Sequence, residues 1–273
     1  MKQRMGSFSR SVPLWLVLLP VALGQAACQA EPPAHRTPTL WPRTGRLVDL
    51  TYPLSDAIPA WPGDTRPFEA KVSARAEEAG YFSRSFCTLE HFGTHIDAPI
   101  HFPPGTTPVD AIALERLFGP AVVLDVRAQV AADSDYRITP ADVRGWEKQH
   151  GPVPDGAIVL ARTGWASRWP HEQRYRNMDT EGVMHFPGFS VAAVQFLLER
   201  RVSGLGIDTL SVDYGPSKGF EVHHLSHGAD LYHLENLTDL GRLPEAGAVL
   251  IVAPTKLAGG SGGPVRVFAL LPD

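Results

Sequence analysis

Cysteine is nearly missing from this chain, with two among 273 residues. One of them, Cys28, closes a leader-like N-terminal segment, which leaves Cys87 without an intrachain partner. A disulfide framework is thereby excluded, even for a chain bound for an oxidising compartment, and stability must come from an apolar core and from oligomerisation. Basic clusters are missing too. Lys and Arg number 25 against 29 Asp and Glu, a net charge of −4, and an acidic chain without a basic patch is a poor partner for nucleic acid or anionic membrane surfaces. No internal repeat, coiled-coil heptad or low-complexity block is present beyond one Pro-rich stretch near the N-terminus. The 44% apolar and 20% charged fractions are those of a globular protein with a sizeable core, which excludes disorder of the whole chain.

The first residues differ from the rest. Lys2, Arg4 and Arg10 form a basic region ahead of an apolar stretch at 12–23, which is too short for a comfortable membrane span and is followed by Gly24-Gln25-Ala26-Ala27-Cys28. Residues 1–27 read as a signal peptide, which implies export to the periplasm or cell envelope. Ala26-Ala27-Cys28 resembles a lipoprotein box, with Gln25 where an aliphatic residue is usual. A lipid anchor on Cys28 and ordinary cleavage near Ala26 or Ala30 both stay open. Residues 28–44 read as a Pro-rich tether, and 45–273 as the folded domain. Removing 1–27 takes away three positive charges and no negative ones, so the net charge moves from −4 to −7.

Within the domain, β-branched apolar runs predict strands at 45–50, 121–126, 157–161, 204–207, 248–252 and 265–270, with further candidates at 68–72 and 83–90. Helices are predicted at 108–117, at 139–150 behind a Thr-Pro start, and at 190–201 with Ser190 as N-cap; 223–233 is a fourth candidate. Strands and helices mixed along one continuous length imply a single α/β domain.

Histidine is what the chain has in concentration. Seven of its eleven histidines sit in two windows, His91-Phe92-Gly93-Thr94-His95-Ile96-Asp97-Ala98-Pro99-Ile100-His101 and 223–233, the second closing on Glu235. Imidazole nitrogen with carboxylate oxygen makes a site for a divalent metal, zinc or manganese above all. Ligand atoms sit about 2.0–2.2 Å from such an ion, whereas a straight strand would hold the Cα atoms of His91 and His95 roughly 13 Å apart at about 3.3 Å per residue. A helix is opposed by Gly93 and Pro99. The segment must therefore bend, and Gly93 is the residue able to do it, so that His91, His95 and Asp97 face one point. His101 is either a fourth ligand or a proton carrier beside the metal-bound water. In the second window Glu235, flanked by the apolar Leu234 and Leu237, needs a buried partner such as a metal. His224, His227 and His233 are expected to face solvent.

The first window matches H-x-G-T-H-x-D-x-P-x-H at every fixed position. It resembles the metal-dependent cyclase family, which includes bacterial kynurenine formamidase and isatin hydrolase. Trp61-Pro62-Gly63-Asp64, Arg162-Thr163-Gly164-Trp165, Phe186-Pro187-Gly188, the segment 206–213 and Glu235-Asn236-Leu237 are similar to that family as well. The resemblance covers essentially all of the domain from about Arg46 onward. It implies a mixed-sheet or barrel-like domain of the swivelling β/β/α kind, in a homodimer or larger assembly. It implies one metal on His91, His95 and Asp97, a second completed by His223 and Glu235 with both carboxylates bridging, His101 as proton donor and acceptor, and Trp61 against the substrate ring. His224 stands as the neighbouring register for His223.

The chemistry so implied is hydrolysis of a non-peptide C–N bond in a small molecule, as in N-formylkynurenine to kynurenine plus formate or in a cyclic amide such as isatin. Tryptophan breakdown is expected inside the cell, so export leaves the substrate open, and a lactone or other ester remains an alternative. An exported metal-scavenging protein would account for the histidines but not for Trp61. Gly259-Gly260-Ser261-Gly262-Gly263 formally fits a nucleophile elbow, yet Pro264 and a strand-like run follow where a helix is required, so it is read as a flexible glycine loop. Asp208, Ser211 and Asp213 either line the pocket or end a strand; Arg162 and Trp165 are expected to be structural.

Overall fold

The computed structural model describes residues 46–65 and 67–272. The leader and the tether expected at 1–27 and 28–44 lie outside the described residues. Twelve strands occur among those described: β1 (Leu47–Asp49), β2 (Phe68–Ala74), β3 (Ser83–Thr88), β4 (His95–Asp97), β5 (Phe118–Asp125), β6 (Arg137–Ile138), β7 (Ile158–Arg162), β8 (Gly188–Phe189), β9 (Gly204–Ile207), β10 (Tyr232–Glu235), β11 (Val249–Pro254) and β12 (Gly262–Leu270). The helices are α1 (Ala76–Ala79), α2 (Arg127–Ala132), α3 (Pro140–His150), α4 (Glu172–Arg176), α5 (Val191–Leu198) and α6 (Glu221–Gly228). The main sheet runs β1-β12-β11-β5-β7-β9-β10-β4, and β12 pairs again with β4. That last pairing closes seven strands into a ring, with β1 attached outside it. The single barrel-like α/β domain implied by the sequence is the one observed.

Strands β5, β7, β9 and β10 run parallel to their neighbours in that order. Parallel strands are covered on both faces, hence their unbroken apolar runs. Ala121, Val123, Ile158 and Leu160 point into the ring, where they meet Ile96, Leu234, Val252 and Val267. The alternate residues Val122, Leu124, Val159 and Ala161 point outward and pack under Val143 and Trp146 of α3 and Ala193, Val194 and Leu197 of α5. Ser190 caps α5 as expected, its hydroxyl accepting from the Ala193 N–H at 3.1 Å. At α3 the Asp142 carboxylate accepts from the Thr139 N–H at 2.7 Å, the return half of a capping box.

Two expectations are corrected. The stretch 108–117 is not a helix but two short 3₁₀ turns, Val109–Ala111 and Leu114–Leu117; Pro108 and the spacing of buried Val109, Ile112 and Leu117 seat it as an edge segment against the ring interior. The helix predicted at 223–233 ends at Gly228, after which the chain re-enters the sheet as β10. Leu231 and Leu234 are buried in different apolar layers, which a continuing helix would not allow. No helix of the described residues is long and apolar enough to cross a membrane.

Candidate metal centre

Strand β4 reads His-Ile-Asp and strand β10 ends His-Leu-Glu. In a strand, residues two apart share a face, so Ile96 and Leu234 inside the ring force His95, Asp97, His233 and Glu235 onto its outer face. The antiparallel register sets Glu235 opposite His95 and His233 opposite Asp97. Directly opposed residues hold their Cβ atoms about 4.5–5.5 Å apart, and a slip of β10 by one residue would turn His233 and Glu235 to the other face. Gly93 makes the expected bend at φ +68° and brings His91 back to the same point. A Cβ on Gly262 of β12 would meet the Ile96 carbonyl at 2.4 Å and the His91 ring at 2.7 Å, so His91 has its place only because glycine opens the strand behind it.

His91 Nδ1 lies 2.6 Å from Asp97 Oδ1, and His95 Nε2 lies 3.1 Å from that same oxygen and 3.5 Å from Glu235 Oε2. From α6, His223 Nε2 lies 3.4 Å from Asp97 Oδ2 and 3.5 Å from Glu235 Oε1. The structure thus gathers His91, His95, Asp97, His223 and Glu235 into one cluster. His224, the alternative register, is exposed on α6 and outside it.

The outward nitrogen of each imidazole is committed to an acceptor. His95 Nδ1 faces the Gly93 carbonyl at 2.9 Å, and His223 Nδ1 faces Asp213 Oδ2 at 2.7 Å. His91 Nε2 faces Ser261 Oγ at 2.8 Å, and that hydroxyl gives its own proton to Glu90 Oε2 at 2.6 Å. Outward protons leave the inward nitrogens as lone pairs turned toward two carboxylates, the arrangement by which outer partners orient metal ligands. Asp97 Oδ2 and His233 Nδ1 are fully buried with no hydrogen-bond partner, which is costly unless a cation joins them. The donor set therefore fits a divalent metal.

Charge tells the same story. Burial would lower the pKa of His95, but Asp97 and Glu235 outweigh it and raise it to about 9. Burial likewise opposes His223, yet its hydrogen bond to Asp213 and the facing carboxylates of Asp97 and Glu235 hold it well above the usual histidine value. For Asp97, burial is overcome by His95 and His91, and the carboxyl stays well below its ordinary range. Without metal, the centre gathers protons in its place.

Two of the histidines expected in solvent are instead buried. His233 is fully covered, its Nε2 2.6 Å from Ser226 Oγ, and His227 stacks on it with ring centroids 4.1 Å apart. Periodicity explains the difference: His227 lies one turn beyond His223 on α6, facing inward, and His233 shares a strand face with Glu235. The repeated pattern His-x-Asp and His-x-Glu was the signal in the sequence. Glu90 was not distinguished there, and Asp213, Ser261 and Asn236 were named without the roles behind His223, His91 and the Gly93 bend that the structure gives them. Asn236 donates to the Gly93 carbonyl at 2.9 Å and so pins the bend. The segment around Ser261 is no free loop, since Gly262 and Gly263 pair with Asp97 and Ile96 and Ser261 backs His91.

A cavity of about 260 Å³ opens onto this cluster, lined by Trp61, Phe92, Phe102, Ser211 and Phe220 among others. His101 stands on its wall, stacked on His91 at 3.8 Å, and among the described residues its ring makes no hydrogen bond. Burial, aided by the neighbouring imidazoles and opposed by Asp97, lowers its pKa to about 3, so it is a neutral base near pH 7. Trp61 borders the mouth, 6.1 Å from Phe220. Asp208 is buried and accepts from the N–H groups of Thr163 and Gly164 at 3.0 Å each, a structural post rather than a pocket group. Arg162 is structural too, paired with Asp125 at 2.7 Å, as is Trp165, whose indole donates to the Tyr175 carbonyl at 2.7 Å.

Residues 48–214 match the family described as "Putative cyclase". The chain is 35% identical over 211 residues to isatin hydrolase of Roseibium aggregatum, covering 74% of this chain and 80% of that protein. It is 29% identical over 228 residues to kynurenine formamidase of Bacillus cereus, covering 82% and 97%. Among solved structures, isatin hydrolase A of Ralstonia solanacearum superposes with a TM-score of 0.77 at 37% identity, over 83% of this chain and 92% of that one.

Proposed function

The chain belongs to the cyclase family of metal-dependent hydrolases, and from that premise we propose that it hydrolyses the C–N bond of a small amide fused or attached to an aromatic ring. A cyclic amide of the isatin kind is placed ahead of N-formylkynurenine. A cavity of about 260 Å³ falls just under the usual range for ligand sites, about 300–1,000 Å³, and suits a compact bicyclic molecule between aromatic walls. The observation that carries the reading is the convergence of lone pairs from His91, His95, Asp97, His223 and Glu235 beside an aromatic pocket.

One metal would be held by His91, His95 and Asp97, and a second by Asp97, His223 and Glu235, with zinc or manganese matching the donors. A metal so bound supplies a Lewis acid for the scissile carbonyl and lowers the pKa of water at the site. Neutral His101 takes a proton from the attacking water and returns it to the departing nitrogen, as the C–O bond forms and the C–N bond breaks. Trp61, Phe102 and Phe220 orient the aromatic ring and keep bulk water away.

Export is part of the proposal. It is supported by Lys2, Arg4 and Arg10 ahead of the apolar stretch at 12–23, and by Ala26-Ala27-Cys28 as an anchoring or cleavage point. Cell fractionation of the wild type and of Cys28→Ala tests it. Assembly as a homodimer or larger is supported by the β2–β3 hairpin, where Tyr81, Phe82 and Phe86 are each more than 60% exposed.

The decisive test combines elemental analysis of purified protein with isatin, N-formylkynurenine and lactone substrates, before and after chelation. Turnover of an aromatic amide that is lost with the metal and restored by adding it back is expected. Metal binding without turnover would favour the scavenger, and turnover indifferent to chelators would overturn the reading.

A further inference from the structure

His233 has no place in the ligand set drawn above, yet its geometry is that of a ligand. Its Nε2 meets Ser226 Oγ at 2.6 Å, and that hydroxyl donates its proton to the Val222 carbonyl at 2.6 Å. Ser226 can therefore only accept from His233, which fixes the proton on Nε2 and leaves Nδ1 as a bare lone pair. Nδ1 points at Asp97 Oδ2, 3.7 Å away, and both atoms are fully buried without a hydrogen-bond partner. Two unpartnered acceptors turned toward each other in a sealed space repel, so something positive belongs between them.

We propose that His233 is the fourth protein ligand of the second metal position, which it completes with Asp97, His223 and Glu235. The inference rests on the metal-dependent reading above. Donor atoms of these four residues all lie within 4.8 Å of one another. A tetrahedral shell with bonds of about 2.0–2.2 Å has edges of about 3.3–3.6 Å. The separations of 3.4 Å for His223 to Asp97, 3.5 Å for His223 to Glu235 and 3.7 Å for His233 to Asp97 are close to those edges before any adjustment. Four protein donors are the count of a closed, structural zinc site, whereas three leave the open place that catalysis needs. The two positions then divide the work. Both border the cavity, the first through His91 and His95 and the second through His223 and Glu235. His101 stacks on the first, and His233, fully buried and outside the cavity wall, would back Asp97 and Glu235 from behind.

The test is metal stoichiometry, read by elemental analysis after dialysis and by competition with a coloured chelator, with zinc as the probe. Wild type and the control His224→Ala are expected to hold two equivalents. His233→Leu, which keeps bulk in the apolar setting, should hold one tightly and lose the other or bind it at least about 10–100-fold more weakly. Should His233→Leu fail to fold, Ser226→Ala retains the ligand but frees its ring, and should weaken only the second equivalent by about tenfold or more. A cobalt-substituted protein gives an independent readout, since loss of one imidazole changes its visible absorption. Two equivalents of unchanged affinity in both variants overturn the proposal, and so does a wild type that never binds more than one. A wild type with no chelatable metal would instead bring down the hydrolase reading itself.

Discussion

Strands β4 and β10 bring nearly the same three residues to the metal centre, His-Ile-Asp and His-Leu-Glu, but what stands beside each strand differs. On the β4 side the chain comes in through the Gly93 bend, and His91 keeps 26% of its side-chain surface exposed next to His101 and the aromatic pocket. On the β10 side α6 closes over the strand, His233 is fully covered, and Ser226 and Asp213 occupy the outward nitrogens. Equal ligand chemistry therefore produces unequal access. His95 and His223 are equally buried and both border the cavity with Glu235, so the halves differ in what backs them: His91 is partly open beside His101, and His233 is shut away from the cavity.

Asp97 lies closest to both halves, 2.6 Å from His91, 3.1 Å from His95 and 3.4 Å from His223, so its loss should erase the difference between them. Asp97→Asn keeps the shape and removes the negative charge. Neither metal equivalent should survive dialysis, and kcat/KM should fall to the level of the chelated enzyme, about 10⁴-fold or more. A variant retaining two tight equivalents would mean that the halves are not joined through this carboxylate. His101 packs against the open half, its ring stacked on His91 at 3.8 Å and 6.0 Å from His223. His101→Ala should lower kcat by about 10²–10⁴-fold while leaving elemental analysis unchanged; metal loss in this variant would make His101 a ligand instead.

The half on α6 responds to changes behind its ligands, at groups that do not line this cavity. Asp213→Asn weakens the acceptor behind His223 and should cost about 10–100-fold in affinity for one equivalent only, measured by chelator competition. Acid should act on both halves. The pKa of His95 is raised to about 9, and that of His223 is held high by Asp213, Asp97 and Glu235, so the metal-free protein carries protons there at neutral pH. A metal must displace them, and its affinity therefore falls as pH falls, by about tenfold per pH unit for each proton released. A profile flat between about pH 6 and pH 8 would show that no proton is exchanged.

How much of this was legible beforehand follows from the same contrast. The open half lies within eleven consecutive residues, and Gly93 marks its bend, so His91, His95, Asp97 and His101 could be read together. The sealed half is assembled by register. His233 is buried only because Leu234 enters the ring and β10 pairs with β4 at His233 and Asp97, and no local window contains that pairing. Helix period misled at 229–233, where the chain has left α6 for β10 and His233 takes a strand face; His227 keeps helical register with His223, a signal that the expectation of solvent did not use. Five strands of the ring, β5, β7, β9, β11 and β12, were plain from their apolar runs, whereas β4 and β10 were missed, being three and four residues long and each polar at two of them. Ser261 was obscured by its glycines, which serve the close approach of β12 to Ile96 and His91 rather than a flexible loop.

Trp61 gives the smallest and most discriminating effect, because it belongs to the open half without touching the cluster. It borders the cavity and faces Phe220 at a ring separation of 6.1 Å. An aromatic pair contributes about 0.5–1.5 kcal/mol beyond the area it buries, so Trp61→Ala should raise KM for an aromatic amide by about 2–12-fold. The metal content should not change, and Trp61→Phe should recover part of the loss. The same change should matter little for a small aliphatic amide, which offers no ring to the wall. An equal penalty on both substrates would mean that Trp61 merely supports the loop it stands on, and the open half would lose its claim to read the aromatic group.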